Sequence, residues 1–274
     1  MKRVKKKLKK ERHIFTKVFI GLLMFFFYLP IVYTVIFSFN SSKSLSKFGG
    51  FSLQWYEKLF NNSDMMDSIF YTIAIAVLAT VISTIVGTIT AIGLSKSNRV
   101  LRGIVEQIND LPIMNPDIVT AIGLLMFFSS LAIKKGFITL LLAHIMFCIP
   151  YVILSVMPKL RSLDPNILDA ALDLGCTPVQ ALTKVIVPQI TSGIMAGALI
   201  AFTMSFDDFV ISYFVTGNGV NNISIMIYTM SKRVNPTINA VSTLIIAVIT
   251  IGLVIANAAP VIKEKRAKKN QGLN

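Results

Sequence analysis

Charged residues make up only 15% of this 274-residue chain, and cysteine occurs just twice, at Cys148 and Cys176. Soluble globular domains carry about 25% charged residues, so there is too little polar surface here to coat a water-soluble body of this size. The two cysteines lie in separate segments with no metal-ligand spacing around either, which excludes a disulfide scaffold. A G-x-x-x-x-G-K-S/T phosphate loop is also missing, so this chain is not itself an ATPase of that kind. What is abundant is apolar. Hydrophobic residues reach 54% and mean hydropathy is +0.70, which excludes a disordered chain and points to an all-α, polytopic membrane protein.

The net charge of +14 is unevenly distributed. Nine of the 27 Lys/Arg residues fall in the first seventeen positions and five in the last dozen, leaving 13 for the long middle. Basic ends flanking apolar runs fit anionic lipid headgroups and the positive-inside rule rather than nucleic acid.

A membrane-crossing helix needs about 20 mainly apolar residues. Six stretches qualify: 18–39, 69–94, 111–133, 137–157, 191–216 and 238–262. The first follows a basic segment, as a signal peptide would. Its apolar run is too long for such a peptide, and no small-x-small cleavage site follows Phe39, so it reads as a retained span. With the N-terminus inside, the cytoplasmic segments hold 20 Lys/Arg and the outer loops seven. That bias predicts both termini in the cytoplasm. The expected layout is a basic cytoplasmic N-terminus over 1–17, a six-span domain over 18–262 and a basic tail over 263–274.

No Lys or Arg lies within a span, but three acids do: Asp117, Asp207 and Asp208. Ionisable groups in membranes are costly and commonly face a cavity or a partner, and an acid-only set favours cationic cargo. Pro112 and Pro116 predict that the third span does not begin as one straight helix. On a regular helix turning about 100° per residue, Ser205, Asp208, Ser212 and Thr216 share a polar stripe, with Asp207 opposite. This assigns Asp208 to the lumen and Asp207 to a partner permease, unless the helix breaks and admits both. The bland alternative is that these acids, Asp117 included, cap a broken helix or bond a neighbouring span. Trp55, the only tryptophan, is expected either to anchor at the membrane interface or to offer a cation–π face to an amine. His144 reads as an interhelical hydrogen-bonding residue rather than a ligand.

The loop at 158–190 is too long for a simple turn. Asp164-Pro165 predicts a helix start and Gly175 a left-handed stop. Thr177-Pro178 predicts a second start, closed by Pro188. The first helix has an apolar face of Ile167, Leu168, Ala171 and Leu172, with Asp169 and Asp173 elsewhere. It either folds back on its own protein or docks on a cytosolic partner.

These residues carry a resemblance. D-A-A-L-D-L-G at 169–175, followed nine residues later by V-I-V-P at 185–188, is similar to the EAA loop of permease subunits of ATP-binding-cassette importers. Ala170, Ala171, Gly175 and Pro188 fall at matching positions. Asp169 replaces the family's Glu, and Val185 and Val187 replace its Ile and Leu. Further stretches look like the C-type permease of spermidine/putrescine importers: F-S-F-N-S-S at 37–42, N-P-D-I-V-T-A-I at 115–122, A-H-I-M-F-C-I-P at 143–150, S-F-D-D-F-V-I-S-Y-F-V-T-G at 205–217 and I-Y-T-M at 227–230.

The resemblance implies a type I importer permease fold and a coupling role for the loop residues Asp169, Ala170, Ala171, Gly175 and Pro188. Asp208, Asp207, Ser205, Asp117 and Trp55 become candidates for the substrate pathway. It further implies a second permease subunit (PotB type), two cytosolic ATPases (PotA type) and an extracytoplasmic binding protein (PotD type), in a prokaryotic plasma or inner membrane. This chain would bind no cofactor or metal; ATP and Mg would sit on the ATPase. The rival readings are a permease for another solute, such as ferric iron or thiamine, a cation channel, or a membrane-embedded enzyme. Against an enzyme, the spans hold no metal cluster or nucleophile–base set.

Overall fold

The structure is a computed structural model that describes residues 2–44, 46–217, 219–231, 235–251 and 254, with side chains from Thr16 onward. Among these the chain is helical, apart from one isolated antiparallel bridge between Asn40 and Phe51. It divides into two units: Met1–Ser63 with Thr229–Asn274, and Asp64–Tyr228.

In the first unit, α1 (Lys2–Ser38) leads into a loop that closes on α2 (Gln54–Phe60). Asn40 organises this loop. Its side-chain amide donates to the carbonyls of Ser44 and Lys47, and its Oδ1 accepts from the backbone N–H groups of Ser42 and Gly49. The indole N–H of Trp55 donates to the Asn40 carbonyl at 2.6 Å, and the Tyr56 hydroxyl meets Ser38 Oγ at 2.8 Å. One polar side chain thus replaces the regular ladder this segment lacks.

The second unit opens with α3 (Ser63–Lys96), long enough to cross a bilayer. Next, α4 (Arg99–Met114) is capped by Asn98, whose side chain accepts from the Leu101 N–H. It is amphipathic: Leu101, Ile104, Ile108 and Leu111 lie on one side, and Arg102, Glu106 and Asn109 on the other. Pro116 has no N–H to continue the ladder, and α5 (Asp117–Ser130) leaves at 106° to α4. The expected third span is therefore a sharply bent pair rather than one segment over 111–133. Where the two helices and α6 (Phe137–Arg161) converge, an apolar groove of about 720 Å³ opens, lined by Leu111, Gly123, Phe127 and Met146 among others.

After α6 come α7 (Ile167–Asp173), α8 (Pro178–Ala181), a π-helical turn (Leu182–Ile186) and α9 (Val187–Asp207). The expectation that Pro188 closes the second loop helix fails. The chain widens to an i→i+5 bond from the Val187 N–H to the Leu182 carbonyl, and this makes room for the proline ring. α8, the π turn and α9 consequently form one continuous span, Pro178–Asp207. It packs on α6 through small residues. A Cβ on Gly197 would lie 3.1 Å from Val152 Cα, and one on Gly193 would lie 2.8 Å from Lys159 Cγ. Such close backbone approach is how membrane helices gain contact where no hydrophobic drive separates them from lipid. Phe128, Leu140, Phe147, Val152, Ile190 and Val215 fill the core of this unit.

The chain breaks after Asp207 and resumes as α10 (Val210–Val215), followed by α11 (Ile223–Ser231) and α12 (Thr237–Ile251). Among the described residues, four helices are long and apolar enough to cross a membrane, or five when the bent pair is taken as one span. Of the sixth stretch, 238–262, the residues beyond 251 lie outside the described residues except for position 254, as does the tail at 263–274.

Candidate functional site

Two regions of the second unit hold most of the candidate residues. The first is the loop between α6 and α9. Gly175 adopts φ +86°, its N–H donates to the Leu172 carbonyl, and the Cys176 N–H donates to Ala171. Those two bonds are the Schellman pattern that ends a helix on a left-handed residue, as the glycine predicts. Thr177 caps the start of α8, again as expected, and Gln180 reciprocates the bond, which the sequence reading does not foresee. The start of α7 differs. Asp164 does not cap the helix but accepts the Asn166 N–H at 2.9 Å, so α7 begins later, at Ile167. Such an Asx turn competes with capping because the short carboxylate reaches its own nearby backbone.

α7 folds back on its own protein along one face and leaves the other open. Ala171 is buried, and Ile167 and Leu168 pack against the core. Asp169, Ala170, Asp173 and Gly175 face outward, flanked by Leu174 (86% exposed) and Val179 (69% exposed). Pro188 sits apart from this face, inside the continuous span.

The second region is the break after α9. The stripe argued from a regular helix does not survive, because Asp208 is extended (φ −60°, ψ 126°). Its carboxylate turns inward, accepting from the Ile211 and Ser212 N–H groups at 3.3 and 2.7 Å and from Ser212 Oγ at 2.7 Å. It caps α10, the alternative role that the sequence left open. His144 stands against it from α6, with Nδ1 2.7 Å from Ser205 Oγ and Nε2 3.0 Å from Ser212 Oγ. Across a 61-residue separation the imidazole ties α9 to α6, as expected of an interhelical hydrogen-bonding histidine. Asn222 completes the cluster. It donates to the Asp208 carbonyl and to Ser212 Oγ, both at 2.8 Å, and accepts from the Ile225 N–H.

The structure distinguishes the paired acids: Asp207 is exposed, while the Asp208 side chain is only 8% exposed and is bonded within the chain. Ser205 is buried and engaged by His144, and Asp117 is exposed at the first position of α5. Trp55 fits neither of its expected roles. It is buried, its N–H is bonded to Asn40, and Lys58 Nζ lies 4.5 Å from its ring centroid. The loop around Asn40 folds over the ring, and a residue of the same chain occupies its cation–π face. Asn222 and Asn40 escaped the sequence reading, although Asn222 does carry a signal: an Asn just ahead of an apolar helix is a capping pattern. Asp64, Asp67, Ser68, Tyr71 and Asn221 also line a small polar cavity of about 130 Å³.

Helices long and apolar enough to cross a membrane, joined by a structured loop, define a polytopic membrane protein. Residues 83–268 match the family described as "binding-protein-dependent transport system inner membrane component", and the chain belongs to that family. It is 35% identical over 248 residues to the "Spermidine/putrescine transport system permease protein PotC" of Escherichia coli (strain K12), covering 90% of this chain and 93% of the relative. The "Putrescine transport system permease protein PotI" of the same organism is 37% identical over 235 residues, covering 82% and 83%. The PotC protein of Haemophilus influenzae is 36% identical over 246 residues, covering 89% and 95%. Among solved structures, a bacterial ABC transporter for the acidic polysaccharide alginate shares the fold, with TM-score 0.72 at 15% identity over 96% of this chain and 99% of that one. The chain is thus a multi-pass permease subunit of an ATP-binding-cassette importer and not an enzyme. It works with an ATPase and a substrate-binding protein carried on other chains.

Proposed function

We propose that this subunit imports polyamines, spermidine or putrescine, by alternating access driven from the cytosol. The observation that carries the reading is the 35–37% identity to relatives named for these amines, extending over 82–90% of the chain. The chemistry of the apolar stretches supports it: the six read from the sequence, 18–39 to 238–262, hold acids but no Lys or Arg, so their fixed charge suits an ammonium-bearing chain.

The permease pairs with a second, PotB-type subunit. Two PotA-type ATPases bind ATP and Mg, and a PotD-type protein delivers cargo from outside. Both termini and the 158–190 loop face the cytosol, in line with the 20-to-7 distribution of Lys/Arg. The outward face of α7, from Asp169 through Gly175, seats against an ATPase and transmits its closure to α9 through the unbroken helix that contains Pro188. Asp207 is the acid that meets cargo. This assignment is supported by its exposure and by the internal use of the Asp208 carboxylate. Asp117 and Ser205 belong to the same pathway, with Ser205 acting through His144. Trp55 belongs to the folded outer loop rather than to a cargo face.

The test is uptake of labelled spermidine and putrescine by the complete importer in proteoliposomes. ATP-dependent uptake of either amine, competed by the other, is the expected result. Transport of another solute with indifference to both amines would remove the cargo assignment. Flux persisting with an inactive ATPase would instead make the protein a channel.

A further inference from the structure

We propose that Asn222 is a positioning residue of the transport pathway, clamping the elbow at Asp207–Asp208 from the start of α11 and so setting how Asp207 is presented. The inference rests on the reading of Asp207 as the cargo-facing acid.

A helix that ends inside a membrane leaves carbonyls without partners, and hydrocarbon supplies none. At the end of α9 two of these carbonyls are met by side chains from one short segment. Asn222 Nδ2 donates to the Asp208 carbonyl at 2.8 Å, and Ser224 Oγ to the Asp207 carbonyl at 3.4 Å. The Asn222 amide has two protons, and the second goes to Ser212 Oγ at 2.8 Å, the hydroxyl that also binds the Asp208 carboxylate. Its Oδ1 accepts the Ile225 N–H at 2.9 Å, fixing the amide's orientation. Asn222 is 3% exposed, so water does not substitute for these bonds.

The neighbouring Ile223 N–H donates to Thr72 Oγ1 at 2.8 Å, which anchors the same segment to α3. One amide therefore joins the broken ends of a span to α11, and through Ile223 to α3. A shift of these helices is carried to the backbone of residues 207 and 208. The elbow is consequently a held joint, and the direction in which Asp207 leaves it depends on Asn222.

Asn222→Asp tests this with minimal change of shape. It keeps the acceptor for Ile225 but turns an oxygen toward the Asp208 carbonyl and removes both donated bonds. The importer, with its second permease, ATPases and binding protein, is reconstituted in proteoliposomes, and spermidine uptake and binding-protein-stimulated ATP hydrolysis are measured together. For N222D, uptake falls about ten-fold while stimulated hydrolysis stays within about two-fold. Ser224→Ala, which frees only the Asp207 carbonyl, gives the same split at smaller amplitude and serves as the test if N222D does not assemble.

A parallel loss of uptake and hydrolysis, or uptake near the wild-type rate, would overturn the positioning role. Asp207→Asn separates the two claims. If D207N transports normally while N222D does not, the assignment of Asp207 falls. If D207N is impaired and N222D is not, only the role of Asn222 falls.

Discussion

His144 Nε2 and Asp208 Oδ2 lie 3.6 Å apart, and a single hydroxyl, Ser212 Oγ, is bonded to both. A serine hydroxyl has one proton to give and two lone pairs. The proton goes to Asp208, and one lone pair receives the Asn222 amide. The remaining lone pair must accept from His144, so Nε2 carries a proton. Three elements therefore meet on one buried atom, and the break in the fifth span is determined by residues far from it in sequence.

Asp208 and Asp207 should separate by readout. Asp208→Ala removes three accepted hydrogen bonds inside the bundle and leaves two N–H groups of α10 without partners. The expected cost is about 1–3 kcal/mol, visible as a lower melting temperature of the detergent-solubilised complex. Asp207→Ala should leave the melting temperature unchanged. Equal melting shifts for the two variants would contradict the division of labour.

Gly175 should be intolerant of side chains. At φ +86° an L-residue is strained by about 1–2 kcal/mol, and Gly175→Val should redirect the chain at the exposed end of α7. ATP hydrolysis is expected to continue while spermidine uptake drops about ten-fold. Unchanged uptake would count against coupling through this loop.

The loop at 39–53 should depend more on Asn40 than on Trp55. Asn40→Ala deletes four side-chain hydrogen bonds, whereas Trp55→Phe deletes one and keeps most of the ring. Limited proteolysis of the membrane-embedded chain should cut within 39–53 much faster for the first variant. Comparable rates would deny Asn40 its organising role.

Gly197→Leu should prevent close packing of α9 on α6, since even a Cβ meets Val152 Cα at 3.1 Å. Overpacking costs about 1–3 kcal/mol or more. The yield of folded permease on size-exclusion chromatography should fall, with Gly123→Leu, where a Cβ meets nothing within 4 Å, as the unaffected control.

Local chemistry was readable from the chain wherever it acts over a few residues. The left-handed stop at Gly175, the helix start at Thr177-Pro178 and the interruption near Pro116 each follow from the local limits of one or two residues. The apolar runs had to become membrane helices because hydrocarbon leaves the backbone no other partner. Periodicity failed where distant side chains compete with the helix. Projecting 205–216 on a regular helix put Asp208 on a lumen-facing stripe, but its carboxylate is held inside the bundle by Ser212, beside His144 and Asn222. Pro188 looked like a terminator, yet a π turn absorbed it.

Composition and spacing alone thus settled that this chain crosses a membrane as helices, breaks its third span and carries a structured loop whose first helix stops at a glycine. Only the tertiary structure decided which of two adjacent aspartates is buried, what Trp55 touches and where the fifth span bends. The reason is that backbone preferences are set residue by residue. A buried polar group instead takes whichever partners the packed helices bring within hydrogen-bonding distance.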